Sequence, residues 1–257
     1  MAWQLVRHAF VMIFSNLGQA LKVSVIPYAL LIAAWVFFFV SSGIPMSADP
    51  EVMGASAGAF GIVAFLLFLA LIVFSVFVFG WVAVSWHRFI LREEYTALIP
   101  AVNDRPIWPY AGRSLWIGLI ITLIAIPVFM VVGLIAAPFA SVSLIVPALA
   151  MLAGITVLAY LWMRWAVALP SIAIGEPMKG SEAWAATAPY SKTILMVVLI
   201  LMAINVIPAI LLEGVYAAAP IVGFVIDVAM QWITVMLGLS VLTTLYGHII
   251  EKRPLVG

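Results

Sequence analysis

A chain of 257 residues that is 67% hydrophobic and 8% charged lacks the charge needed to cover a soluble domain of that size. Its net charge is +1 and it has no long basic run, which argues against a nucleic-acid surface; without cysteine it has no disulfide, thiolate nucleophile or thiolate metal site. The solvent that suits this composition is lipid, and the whole of residues 1–257 reads as a single transmembrane domain, an all-α bundle of six spanning helices.

In chain order, the first element expected is an amphipathic helix over residues 1–22. Trp3, Val6, Phe10, Ile13, Leu17 and Leu21 recur at helical spacing, with Gln4, His8, Ser15, Gln19 and Lys22 on another face. Such a helix suits the plane of the membrane surface. No cleavable signal peptide is evident, so the first apolar run is read as a retained span. A span needs about 20 mostly apolar residues. The segments that qualify lie at approximately 23–43, 59–86, 115–137, 144–163, 194–212 and 221–245. The second and sixth are long enough to tilt or to extend past the headgroups. Pro127 and Pro208 fall inside the third and fifth spans and should bend them. Small residues, Gly54 and Gly58 before the second span and Ala150 and Gly154 in the fourth, are spaced for close helix approach.

The distribution of charge fixes an orientation. All eleven Lys and Arg fall on one side of a six-span arrangement, whereas Asp49, Glu51, Glu213 and Asp227 lie on or toward the other. By the positive-inside tendency, both termini are expected in the cytoplasm. The segments 94–113 and 176–192 on the basic side mix Trp108, Tyr110, Trp184 and Tyr190 with charge and proline, a composition suited to the headgroup layer.

A short pattern recurs at three span ends: Trp86-His87-Arg88-Phe89, Trp162-Met163-Arg164-Trp165 and Tyr246-Gly247-His248-Ile249. The basic position repeats after 76 and then 84 residues, as expected of three hairpins in the same orientation, each preceded by an interfacial segment.

Several positions carry a chemical reading beside a plain one. Arg88 and Arg164 suit lipid phosphate or another anion, but also simple snorkelling beside anchoring Trp residues. Asp227, Gln231, Thr234 and Gly238 share one face of the sixth span, with Asn205 and Glu213 on the fifth. They form either a polar path or interhelical hydrogen bonds, and a carboxylate at that depth is expected to face the bundle. His87 and His248 lack companion ligands at metal-binding spacing, so no metal or other cofactor is expected. Glu93 and Glu94 read as solvated loop charge. No H-E-x-x-H, P-loop or G-x-G-x-x-G is present, and a membrane enzyme is left without support.

The stretch from Arg164 to Thr187, with Arg at a helix end, Pro170 six residues on, then Ala183-Trp184 and Thr187, resembles uncharacterised bacterial six-helix membrane proteins. These are similar in style to the membrane domain of some glycerophosphodiester phosphodiesterases and to Yip1-like proteins. The resemblance covers about 25 residues plus the span layout; after Arg88 the equivalent Pro is absent. It implies a bacterial cytoplasmic (inner) membrane and an accessory role. No soluble phosphodiesterase domain accompanies the spans, so no catalytic residue carries over. The expectation is a non-enzymatic protein that scaffolds or assists membrane partners or lipids; the rival is a small transporter or channel using the polar face of the fifth and sixth spans.

Overall fold

A computed structural model describes residues 1–42, 61–139 and 142–255. Among these, every regular element is a helix, and six are long and apolar enough to cross a membrane. The all-α bundle expected from the composition is therefore present. Asp49, Glu51, Gly54 and Gly58 lie outside the described residues.

Helix α1 covers Ala2–Ser15 and α2 covers Leu17–Ser42. The expected surface helix over 1–22 is thus shorter, because the chain breaks at Asn16. There the backbone leaves the helical region (φ −122°, ψ 30°) and the side-chain amide donates to the Met12 carbonyl at 2.9 Å. Residues 17–22 belong to the first span instead. The packed face overlaps the expected one in part: Val6 and Ile13 of that face are buried, together with Leu5 and Ala9 outside it, while Trp3 is 62% exposed. The sequence offers two apolar faces, and the fold uses one of them against the protein.

The spans continue as α3 (Ile62–Arg92), α4 (Ile107–Ala136) and α5 (Ile145–Ala166). Two short helices follow, α6 (Leu169–Ala173) and α7 (Gly180–Thr187), and then α8 (Ser191–Ala218) and α9 (Pro220–Ile249). All six expected spans are present. Several run further than expected; α3 continues to Arg92 and α4 begins at Ile107.

Helices α2 with α3, α4 with α5, and α8 with α9 form antiparallel hairpins. The hairpins meet where α3 packs on α4 and α9, and where α5 packs on α8; α1 lies against α8 and α9. All the described Lys and Arg sit at one end of the bundle, called here the basic end, and the α8–α9 turn marks the opposite, acidic end.

The core is not spread evenly along the spans. Helix α3 is almost continuously buried from Val78 to Phe89, and α9 from Met236 to Ile249. The buried residues of α4 are Ile107, Tyr110, Ala111 and Ile117, all toward the basic end. Nearer the acidic end, packing is mostly within hairpins. Trp35 and Phe38 of α2 meet Phe68 of α3. Gly154 of α5 lies against Val128, Phe129 and Val132 of α4, so close that a Cβ would come within 3.0 Å of Val132. This is the tight approach expected of that glycine. Gly223 of α9 leaves no room for a Cβ against the Tyr216 ring.

Helix α6 was not foreseen. Residues 166–174 form an unbroken buried stretch at the centre of the basic end, touching α3, α4 and α9. Pro170 fits the first turn of a helix, where no intrahelical N–H is required. Gly175 ends the stretch at φ +84°, and the Ser171 hydroxyl accepts from Met178 N–H at 3.0 Å to secure the exit.

Candidate functional site

Three polar clusters and two cavities are candidates, and each is positioned by a helix end or a crossing. The first cluster surrounds Arg88. Glu93 adopts a left-handed conformation (φ 55°) at the end of α3, which turns the chain back and aims Glu94 at the helix it has just left. Arg88 Nε and Nη2 donate to the two Glu94 carboxylate oxygens at 3.0 and 2.5 Å, and Nη1 donates to the Ala173 carbonyl at the end of α6 at 2.9 Å. Arg105 also pairs with Glu94. The hydrogen bond from Arg88 holds the Glu94 carboxyl below its usual range. Glu94 is therefore a clamp rather than the solvated loop charge expected, because the turn at Glu93 is invisible to composition. Nearby, Arg92 pairs with Glu176, and Arg253 of the tail donates to the Leu91 carbonyl at 2.9 Å.

The second cluster surrounds Arg164, which is only 6% exposed. Its guanidinium donates to Thr187 Oγ1 at 3.1 Å, Tyr160 Oη at 3.3 Å and the Trp184 carbonyl at 2.6 Å. It also lies over the Trp184 ring, 3.6 Å from the centroid. At the third equivalent position, His248 Nδ1 lies 3.1 Å from the Arg253 carbonyl. The recurring basic position thus has a common use: each ties the end of a span to the segment that follows it. Snorkelling alone does not describe this geometry, since Arg88 and Arg164 engage all their guanidinium nitrogens within the protein.

The third cluster is buried between α3, α4 and α9. Thr243 Oγ1 donates to the Leu239 carbonyl at 2.8 Å and so accepts from His87 Nδ1, also at 2.8 Å. His87 Nε2 then accepts from the Tyr110 hydroxyl at 3.1 Å. A neutral imidazole with one donor and one acceptor completes this chain. Beside it, Trp86 Nε1 donates to Ser240 Oγ at 3.0 Å. Among the described residues, no three His, Cys, Asp or Glu come together as a metal site.

The polar face expected on the fifth and sixth spans comes together in part. Asn205, Pro208, Asp227, Gln231 and Thr234 line a cavity of about 260 Å³ between α8 and α9. Thr234 Oγ1 donates to Asn205 Oδ1 at 2.8 Å, and the Tyr216 hydroxyl donates to Asp227 Oδ2 at 3.4 Å. Asp227 faces α8 and is half-buried; Glu213 is exposed and does not line the cavity.

A larger cavity, about 740 Å³, is a cleft open to the side of the bundle, formed by α2, α3, α4, α5 and α9 beneath Leu169 of α6. Among the described residues, no Asp, Glu, Lys, Arg or His lines it. The hydroxyl oxygen of Tyr28, on its wall, is buried without a hydrogen-bond partner. Thr234 borders both cavities. Sequence reasoning missed this space, because its wall residues carry no pattern beyond ordinary apolar spans. No protein-family model, curated protein or solved structure matches this chain.

Proposed function

We propose that this membrane protein is a non-enzymatic accessory or scaffold component that binds membrane lipids or membrane partners. The observation that carries the reading is the division of the bundle: three hairpins are clamped together at the basic end, while long apolar faces remain open toward the acidic end. Ile221 is 81% and Leu134 75% exposed, and in a membrane such faces meet lipid or another protein. A bacterial cytoplasmic membrane with both termini inside belongs to the same proposal, supported by the placement of Lys and Arg at one end.

A second reading, transport, rests on the cavity bordered by Asp227. The partners on that seam are already bonded to each other, which favours a structural role for it. The two readings separate in one set of experiments. The wild-type chain and Asp227→Asn are purified from their membranes, reconstituted in liposomes and assayed for ion flux, and the copurifying lipids and proteins are identified. Defined lipids or membrane proteins, with no flux from either chain, are expected. Flux in wild type that vanishes in a fully inserted Asp227→Asn would overturn the scaffold reading. A reporter fused at Ala217 is expected outside; a cytoplasmic signal there would overturn the orientation.

A further inference from the structure

We propose that the central cavity is a lipid site: it takes one acyl chain from the leaflet on the basic side, and the ester carbonyl of that chain accepts a hydrogen bond from the Tyr28 hydroxyl. This deepens the lipid-binding reading above and rests on it.

The size of the space, about 740 Å³, is that of an ordinary ligand pocket. Its wall excludes one class of occupant. The described residues put no charged or imidazole side chain on it, so an ion or charged solute would lose its hydration and find no counter-charge among them. An apolar body is accepted without that penalty. The wall carries five hydroxyls and one indole N–H; Ser114 and Trp162, which contribute one of each, are only half-buried. The hydroxyls of Thr122, Thr234 and Tyr110 already donate within the chain, to the Gly118 carbonyl, Asn205 and His87 respectively. Tyr28 Oη is left buried without a partner. A buried donor of this kind calls for an acceptor on the occupant.

Geometry points to a lipid of the bilayer as the source. Tyr28 lies six residues beyond Lys22 on α2, about 9 Å along the helix axis. With Lys22 at headgroup level, the hydroxyl falls near the depth of ester linkages rather than at the midplane. Toward the basic end the cavity is closed by Tyr110 and by Leu169, which are 5% and 2% exposed. To the side, its rim includes Phe79, Leu115 and Leu119, all of which face outward from the bundle. The way in is therefore lateral, through the bilayer. Gly238 keeps the space wide: it lines the cavity, and a Cβ built on it would meet nothing within 4 Å.

The test uses the full chain in phosphatidylcholine liposomes containing a phospholipid with a photoactivatable acyl chain, with labelled residues mapped by mass spectrometry. Label is expected on the inner cavity wall at Thr234, Val235, Leu239 and Leu242 of α9. Gly238→Leu fills the space and should lower that label about tenfold, leaving label on outward-facing Leu149 unchanged. Tyr28→Phe keeps the shape and should lower it about fivefold, the size of one lost hydrogen bond. An ether-linked probe, which lacks the carbonyl, should label wild type no better than the ester probe labels Tyr28→Phe. Cavity label absent from wild type, or unaltered in Gly238→Leu, would overturn the site; copurifying lipids or partners would still support the broader reading. Stronger cavity labelling by a prenyl-quinone probe than by the phospholipid would overturn the ligand class.

Discussion

Trp86 and Phe224 are both bulky aromatics on long apolar helices, yet Trp86 is fully buried and Phe224 is 61% exposed. The contrast is that of the two ends of the bundle. Around Trp86, side chains from different hairpins are joined by directional bonds: Trp86 to Ser240, His87 to Tyr110 and Thr243, and Arg88 to the carbonyl end of α6. Around Phe224, the neighbouring bonds stay inside one hairpin, as between Tyr216 and Asp227. Lipid tails are as apolar as a leucine side chain, so they provide little drive for one apolar helix to cover another. Hairpins then associate firmly where tight packing and polar bonds are concentrated. In this protein that place is the basic end, where α6 fills the centre.

The largest expected effect follows directly. Trp86→Ala removes a fully buried ring and its bond to Ser240, and should destabilise the protein by about 3–5 kcal/mol, whereas Phe224→Ala should cost less than about 1 kcal/mol. Thermal unfolding of the two variants in the same detergent measures both. Equal losses would break the comparison.

Arg164→Ala comes next. Its removal loses three charge-assisted hydrogen bonds, to the Trp184 carbonyl, Thr187 and Tyr160, and leaves Thr187 only its bonds to the Ala183 and Trp184 carbonyls, with an expected loss of about 3 kcal/mol. Arg164→Lys should recover little, since an ammonium cannot both make these three divergent bonds and stack on Trp184. Full recovery by Lys, read as folded yield on size-exclusion chromatography, would show that charge alone suffices.

A smaller difference is expected at two glycines. A Cβ at Gly80 would lie 3.3 Å from the Ile107 carbonyl and side chain, where α3 crosses α4. At Gly133, toward the acidic end, it would meet nothing within 4 Å. Gly80→Val should lower stability by about 1–3 kcal/mol and Gly133→Val should not, as measured by unfolding in detergent.

The smallest effect is a pH dependence. Because Arg88 depresses the folded-state pKa of Glu94, the unfolded chain binds more protons between the two pKa values, and stability rises with pH across that window. The contribution is complete above the ordinary carboxylate range and is lost as pH falls through the depressed value. The advantage of wild type over Glu94→Gln should therefore be steady at neutral pH and shrink on acidification. An advantage independent of pH would remove Glu94 from the clamp.

Much of the architecture was legible in the chain because it depends on local composition. Runs of apolar residues long enough to span, and the placement of every Lys and Arg, determined the number of spans and the distinction between the two ends. The recurring basic position at the ends of α3, α5 and α9 was also visible, though not its use. What faces what was decided only in three dimensions. In a soluble helix, polarity separates the outer face from the inner one; here protein-facing and lipid-facing residues are alike apolar, so Leu5 and Trp3 of α1 could not be told apart in role. The same reason hid α6, an apolar run too short to span that reads as a continuation of α5 until Arg88 is seen to meet its last carbonyl. It hid the central cavity as well, since empty space is a property of how helices cross, and Tyr28 acquires its unpaired hydroxyl only from the neighbours the fold withholds from it.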